Sequence, residues 1–520
     1  MAVVYVRRGV VNRKIAAAGV IWTLALLASR VMGLVRDAVL GTVLGVSPAA
    51  DAYAAAFRVP DLVSLLVSGG ALSIVFIPMF TGFLAKGEDD RAWRAFSLVA
   101  NFVVALAAVL VPLAWWFAPE IAAFLAPGFD PEQRALLVRL SRIVLPAQVF
   151  HLLSGLLGAA LLARDKHAIP ALAPLVYNAA IIVGGVVGQS AEGFAWGVLI
   201  GAFLGPFLLP LLAARSVGLR WTLGLSLRDP DFRTYILRAL PIMLAFSIVG
   251  FDDYAWTWFA SSLPEGAVST LQYAKKLAMV PIGVFGYAMG YAAYPTLARL
   301  SAEGRNAEVW STVVTSVKAT LFLAFGSQVV LTVAGADVGA AVFGTTRITP
   351  AEHLILGECV AWFSLGLAGW SAQTLFARGF YARGKTWLPT RLGFFVLIAA
   401  LPVYWGGAAG LGTPGLALAS SAGITLYVVA LAVLLRRDLG GTNGLGEFLL
   451  RALPAVAAGV AVGLSLKPAL GAPEWTRADA IFRTVVLGGA GGLAFVGAAW
   501  AFGIAEVREI ATKVIQRIRR

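Results

Sequence analysis

The chain has 520 residues, of which 59% are hydrophobic and only 13% charged, and its mean hydropathy is +0.84. A soluble protein of this length cannot hide so much apolar surface and a disordered chain does not carry it, which leaves an all-α polytopic membrane protein. A lone Cys359 excludes a disulfide framework, a cysteine zinc site and an iron–sulfur cluster; His151, His167 and His353 lie too far apart for a metal-ligand pattern; and the net charge of +14 reads as Lys and Arg held on the cytoplasmic side.

Fourteen apolar runs are predicted to cross the bilayer, each long enough for about 30 Å of hydrocarbon. They lie near 14–45, 50–84, 95–118, 136–162, 168–187, 192–214, 234–260, 266–298, 309–334, 351–380, 387–406, 412–435, 447–466 and 481–503. The first two read as tilted or broken helices, with Pro60 and Pro78 kinking the second. Basic charge alternates along the connections. Arg7, Arg8, Arg13 and Lys14 precede the first run, and Gly45–Ala50 after it has no Lys or Arg. Lys86, Arg91 and Arg94 are followed by an acidic segment at Asp130 and Glu132, and Arg164 and Lys166 by an uncharged-to-acidic turn at Gln189–Gly193. Arg215, Arg220, Arg228, Arg233 and Arg238 fill the longest connection, and Arg299, Arg305, Arg383, Lys385, Arg436 and Arg437 continue the alternation. Both ends are therefore expected in the cytoplasm, with the loop carrying Lys467 and Arg477 as the exception. Loops this short leave no room for a soluble catalytic domain.

The two halves echo each other. Ala163-Arg-Asp-Lys-His-Ala-Ile-Pro170 recurs as Ala382-Arg-Gly-Lys-Thr-Trp-Leu-Pro389, a shift of 219 residues, and Pro131 and Pro350 stand at the same shift. Pro60 and Pro281 differ by 221, Pro78 and Pro295 by 217. Four coincidences within two residues of each other point to parallel repeats about an axis along the membrane normal. The expected organisation is an N-terminal lobe of six spans over 1–214, a cytoplasmic linker over 215–232 and a second six-span lobe over 233–437. Two extra spans over 438–503 and an amphipathic tail over 504–520 complete it. The tail places Ile510, Val514, Ile515 and Ile518 on one face and its cations opposite, which suits anionic lipid rather than nucleic acid.

Cations also fall inside the apolar runs. Arg30 lies roughly 24 Å into the first at 1.5 Å per residue, Arg36 a turn and a half further, Arg58 in the second and Lys275 and Lys276 in the eighth. An intramembrane cation costs several kcal/mol on insertion scales, so it faces a partner or a wet cavity. Snorkelling or a private ion pair is the plainer reading of each: Asp37 or Asp51 could satisfy Arg36, and Lys275 could snorkel outward. Together, Arg30, Arg36, Arg58 and Lys276 suit a phosphate or pyrophosphate held between two lobes. Positions 30 and 36 are about 120° apart on an ideal helix, so their convergence requires unwinding at Gly33. Of the acids, Asp61 neutralises Arg58 three residues away, Glu358 stands alone, and the adjacent Asp252 and Asp253 are the candidates for ion coupling. Gly410-Leu-Gly-Thr-Pro-Gly415 matches G-x-G-x-x-G but joins two apolar runs with no preceding strand, and reads as a turn. No G-x-x-x-x-G-K-S/T occurs, so nucleotide hydrolysis is not expected.

Ser29-Arg-Val-Met-Gly-Leu-Val-Arg-Asp37, followed by Asp51-Ala-Tyr-Ala-Ala-Ala-Phe-Arg-Val-Pro60, resembles the MurJ/MviN family of lipid II flippases in the MOP exporter superfamily. Gly70–Pro78, Ala126-Pro-Gly-Phe129, Leu263-Pro-Glu-Gly266 and Tyr273-Ala-Lys-Lys-Leu277 extend the likeness along essentially the whole chain. The resemblance implies export of undecaprenyl-pyrophosphate-linked peptidoglycan precursor from the inner to the outer leaflet of a bacterial cytoplasmic membrane, through a central cationic cavity. It places Arg30, Arg36, Arg58 and Lys276 on the family's essential basic positions, with Lys276 where Arg is usual, and Ser29, Asp37 and Asp51 beside them. Two departures stand out. Ser64, Leu65, Gly69 and Gly70 occupy positions where the family carries an Arg pair and then Glu-Gly. Some members bind sodium through an acid in span seven with Asn and Asp in span eleven, and Leu388–Trp405 contains neither.

The expected activity is therefore transport, not catalysis: a lipid II flippase working by alternating access, without a cofactor, with Na+ or H+ as the candidate coupling ion. Cell-wall synthesis proteins are candidate partners. The rivals are export of another polyprenyl-linked glycan, MATE-like antiport of a small molecule, a membrane glycosyltransferase or phosphatase, and a scaffold without transport. A drug-cation exporter should line its cleft with acids, and an enzyme should show an extramembrane loop or a clustered acid/His site.

Overall fold

The computed structural model describes residues 28–67, 75–164, 166, 168–249, 251–344, 346–385, 387–441, 444–504 and 506–507. Among these the chain is helical throughout apart from short connections, with no strand. Ten helical stretches are long and apolar enough to cross a membrane, and they overlie the predicted runs from 95–118 to 192–214 and from 309–334 to 481–503. The runs near 14–45 and 50–84 lie partly outside the described residues, as does nearly all of the amphipathic tail. The chain divides into two compact units, Met1–Gly250 and Phe251–Arg520.

The first unit begins with α1 over 28–44, α2 (Pro48–Ala56), α3 (Arg58–Val67) and α4 (Ile77–Ala85). Ser47 caps α2, its Oγ accepting from the Ala50 N–H at 3.2 Å, with Pro48 following where a missing N–H costs nothing. After α5 (Asp89–Trp116) and α6 (Ala118–Leu125), Asp130 caps α7 (Pro131–Val144) by accepting from the Glu132 and Gln133 N–H groups at 2.8 and 2.9 Å. A break at Leu145–Pro146 separates α7 from α8 (Ala147–Ala163). Then come α9 (Ala168–Gly188) and α10 (Ala191–Ala202), a π-helical turn at Phe203–Leu208 around Pro206, α11 (Leu209–Ser216) and α12 (Pro230–Val249). Phe76, Phe80, Trp93, Phe96 and Tyr235 form the aromatic centre of this unit's core.

Between α9 and α10 the backbones nearly touch. A Cβ at Gly197 would stand 2.7 Å from the Ala180 carbonyl oxygen and 2.8 Å from Ile181 Cα. In lipid, where apolar burial does not drive helix association, such close approach is what holds two helices together. Gly197→Val should force the pair apart and cost about 1–3 kcal/mol. Thermal unfolding of the purified protein in detergent checks it; an unchanged midpoint would contradict the close packing.

At one end of this unit four ion pairs join three predicted basic connections. Arg164 pairs with Asp89, Arg220 with Asp90, Arg91 with Asp231 at 2.7 Å and Arg94 with Asp229 at 3.0 Å. The less basic connections meet elsewhere, where Arg139 pairs with Glu192 at 3.0 Å and Gln133 donates to the Pro48 carbonyl at 3.2 Å.

The second unit contains α13 (Phe251–Ala260), α14 (Ala267–Ala302), α15 (Asn306–Phe343), α16 (Pro350–Leu365), α17 (Leu367–Ala382), α18 (Trp387–Leu411), α19 (Thr413–Leu439), α20 (Gly444–Ser465) and α21 (Arg477–Ala501). Its element starts repeat those of the first: α7 and α16 open at Pro131 and Pro350, α9 and α18 at Ala168 and Trp387, both at a shift of 219 residues. As α7 is divided from α8, so α16 is divided from α17, at Gly366. Thr349 and Glu352 form a capping box on α16. The G-x-G-x-x-G stretch is the turn between α18 and α19, with Gly412 at φ 63°.

Helices α20 and α21 pack on α15, Gly459, Gly463 and Gly491 receiving Val329 and Val333. One buried ion pair fastens them: Arg483 Nε lies 3.2 Å from Asp337 Oδ1, with side chains only 5% and 8% exposed. The same guanidinium donates to the Leu470 and Gly471 carbonyls. Removing one partner of such a pair strands the other charge, so Arg483→Met should cost about 3 kcal/mol and the double change Arg483→Met, Asp337→Leu should recover most of it. Comparing the three unfolding midpoints checks this, and a double variant as weak as the single would refute it. Large apolar side chains such as Trp116, Val187, Leu450 and Leu493 remain more than two-thirds exposed on the spanning helices, as suits contact with acyl chains.

Candidate functional site

Four of the predicted site residues sit on α1. Ser29 is half-buried and Arg30 exposed, while Asp37 is buried. Helix α1 continues unbroken through Gly33, so the unwinding expected there does not occur and Arg30 and Arg36 stay on different faces. The reason is physical: in a bilayer every unwound amide needs a partner, whereas a helical Gly costs only about 1 kcal/mol.

Arg36 is held from two sides. Its Nε and Nη2 donate to Asp37 Oδ1 at 3.1 and 2.9 Å, and its Nη1 donates to Asn178 Oδ1 at 3.0 Å. Asn178 on α9 is itself fixed, donating through Nδ2 to the Pro174 carbonyl at 2.9 Å. Three of the five guanidinium N–H groups are thus engaged among the described residues, leaving two on a side chain that is 24% exposed. Tyr53 and Tyr177 lie within electrostatic reach, and His151 meets the Tyr177 ring edge-on at 5.0 Å. Asp51 in the first turn of α2 and Arg58 at the start of α3 are buried, and Asp61 is exposed.

The second unit gathers a different cluster. Lys275 Nζ on α14 donates to Asp252 Oδ2 at 2.8 Å and also to Asp253 Oδ1, both at the start of α13. Asp252 accepts further from the Tyr404 hydroxyl on α18 and from Ser420 Oγ on α19 at 2.9 Å, and Asp253 from Trp256 Nε1 at 3.0 Å. Lys275 also stands 5.9 Å above the Trp370 ring. Lys276, the cation of this pair expected to serve the cargo, is half-buried and lies one residue round the helix.

The structure thus brings Arg36 to Asp37 and Asp252 to Asp253, and supplies partners that sequence reasoning missed: Asn178, Tyr404, Ser420 and the Arg483–Asp337 pair. Their only signal was a polar side chain inside an apolar run. Among the described residues no group of three or more His, Cys, Asp or Glu could hold a metal ion. The Lys275 ammonium bridges the two carboxylates of the acid pair that is the candidate for ion coupling.

Spanning helices with a repeated plan, ionic groups sequestered among them and only short connections among the described residues have the plan of a polytopic membrane transporter. A multidrug-resistance MATE family transporter of the MOP superfamily, in an inward-facing conformation, shares this fold at a TM-score of 0.66 and 14% identity, covering 81% of this chain and 98% of that one. The match is better, at a TM-score of 0.75 and 20% identity over 95% of this chain and all of the other, with a lipid II flippase MurJ in an inward closed conformation. The profile of the family described as lipid II flippase MurJ matches residues 40–477, and the chain belongs to that family. The lipid II flippase MurJ of Burkholderia cenocepacia is 27% identical over 383 residues, covering 72% of this chain and 74% of that relative.

Proposed function

We propose that this protein is a flippase of the bacterial cytoplasmic membrane that carries lipid II, the undecaprenyl-pyrophosphate-linked peptidoglycan precursor, from the inner to the outer leaflet by alternating access. Family membership names the cargo. The observation that supports it chemically is Arg36, oriented by Asp37 and Asn178 with donors to spare, as recognition of a pyrophosphate oxygen requires. In this reading Arg58 adds positive charge in the same unit, Ser29 and Asp51 support it, and the polyprenyl tail stays in the bilayer. No bond of the cargo is made or broken, so the chain acts as a transporter and not as an enzyme.

The acid pair argues against the antiporter reading. A small cation would need Asp252 and Asp253 open, and Lys275 occupies both. The same occupancy leads us to read the cycle as independent of free sodium, with Asp252 and Asp253 serving as an internal counter-ion pair. Export of another polyprenyl-linked glycan stays as the second reading, because it uses the same pyrophosphate chemistry. The deciding experiment is rescue of cells depleted of their lipid II flippase, together with an assay of lipid II exposed at the outer leaflet. Growth and outer-leaflet lipid II both restored are the expected results; normal expression without either would refute the proposal.

A further inference from the structure

At the basic end of the first unit a cavity of about 430 Å³ lies between α4 and α12. Val75, Pro78, Met79 and Phe83 give it apolar walls, and Lys86 and Arg238 contribute cations to its lining. Around it, Arg91, Arg94, Arg164 and Arg220 are each neutralised by a carboxylate. Lys86 and Arg238 are exposed, and among the described residues neither is hydrogen-bonded through its side chain or ion-paired. Lys166, Arg215, Arg228 and Arg233 at this end also lack an ion pair among the described residues, but only Lys86 and Arg238 of these cations line the hollow beside apolar walls. The basic connections mark this end as the one facing the cytoplasmic leaflet, whose surface is anionic.

We propose that this cavity binds an anionic glycerophospholipid of the cytoplasmic leaflet as a resident ligand. Its phosphodiester lies between Lys86 and Arg238, and its first methylenes rest on Met79, Phe83 and Pro78. The chemistry requires both halves: two unsatisfied cations select a phosphate, and apolar walls beside them are of no use to a hydrophilic anion. A hollow of several hundred Å³ is also the size that encloses a whole small ligand and far exceeds a bare phosphate. The site is separate from Arg36 and its partners, and the inference stands whether or not the cargo is lipid II.

The test uses the full chain in nanodiscs of equal phosphatidylglycerol and phosphatidylcholine, with retained lipid counted by native mass spectrometry after mild delipidation. The wild type should retain one phosphatidylglycerol. The double variant Lys86→Gln, Arg238→Gln should retain it roughly tenfold less, a loss of about 1.4 kcal/mol from two cations that attract an anionic headgroup. Lys86→Arg with Arg238→Lys should bind as the wild type does, which separates lost charge from lost fold. Gly82→Leu, where a Cβ meets no atom within 4 Å, should fill the hollow and reduce binding without touching a charge. Equal retention of phosphatidylcholine, or undiminished binding by the Gln variant, would overturn the proposal. So would displacement by inorganic phosphate alone or by a polyprenyl pyrophosphate, which would assign the site to a free anion or to the cargo.

Discussion

Cells that depend on this protein should fail to grow when Arg36 is replaced by Ala. The guanidinium is already aimed: Asp37 and Asn178 use three of its donors, so the headgroup meets a fixed fork and little rotamer entropy is left to lose on binding. A charge-assisted contact of this kind contributes about 1.5–3 kcal/mol, and a doubly charged pyrophosphate engages it at every cycle. Transport should fall about 10- to 100-fold, since each 1.4 kcal/mol is a factor of ten. Arg36→Lys, which keeps charge without the fork, should retain part of the activity. The alternative, that Arg36 only neutralises Asp37, predicts that the pair Arg36→Ala, Asp37→Asn restores function. Growth of that double variant at normal protein levels would end the substrate-binding role of Arg36.

Lys275→Met should do comparable damage by a different route. Two adjacent carboxylates would then lose the ammonium that bridges them, keeping the Tyr404 and Ser420 hydroxyls and the Trp256 ring N–H among their partners. Breaking a fully buried ion pair costs ~3–5 kcal/mol; Asp252 and Asp253 are 30% and 38% exposed, so water screens part of this and the loss here is nearer ~1–3 kcal/mol. The variant should therefore unfold earlier and stop transporting. Its unfolding midpoint should also rise when sodium replaces a bulky organic cation in the buffer, because the vacated position becomes an oxygen-lined site of net charge −2, whereas the wild-type midpoint is expected not to move. Adding Asp252→Asn and Asp253→Asn to Lys275→Met should remove that response. A wild-type midpoint or transport rate that already climbs with sodium would show that Lys275 does not stand in for a free ion.

Helix positions were largely legible in the sequence, because an apolar run of about 20 residues has few alternatives in a bilayer. The repeat was legible too, since Pro131 and Pro350 open corresponding helices where a missing N–H is harmless. Partners were not. Asn178 lies 142 residues from Arg36, and Tyr404 and Ser420 lie 152 and 168 from Asp252. A neutral polar side chain in an apolar run has no sign to match against a distant charge. Lys275 and Lys276 could not be told apart for a related reason. Adjacent residues point about 100° apart on a helix, and only the packing of α13 against α14 decides which one meets the acids. Convergence of Arg30 and Arg36 required unwinding at Gly33, and α1 stays helical there because a bilayer offers no water to solvate a freed backbone.

The four ion pairs at the basic end of the first unit carry a consequence for how the chain enters the membrane. During insertion Lys and Arg act as topological signals almost regardless of nearby acids. Arg91 and Arg94 would each be read as a cation at the translocon before Asp231 and Asp229, which come later in the chain, exist to pair with them, and Arg164 and Arg220 before their helices pack against Asp89 and Asp90. Once the helices assemble, the same four charges disappear into mutual neutralisation. The signal that orients the nascent chain is thus spent in closing the finished one, and a later helix such as α12 locks in place the hairpins whose direction was decided before it was made.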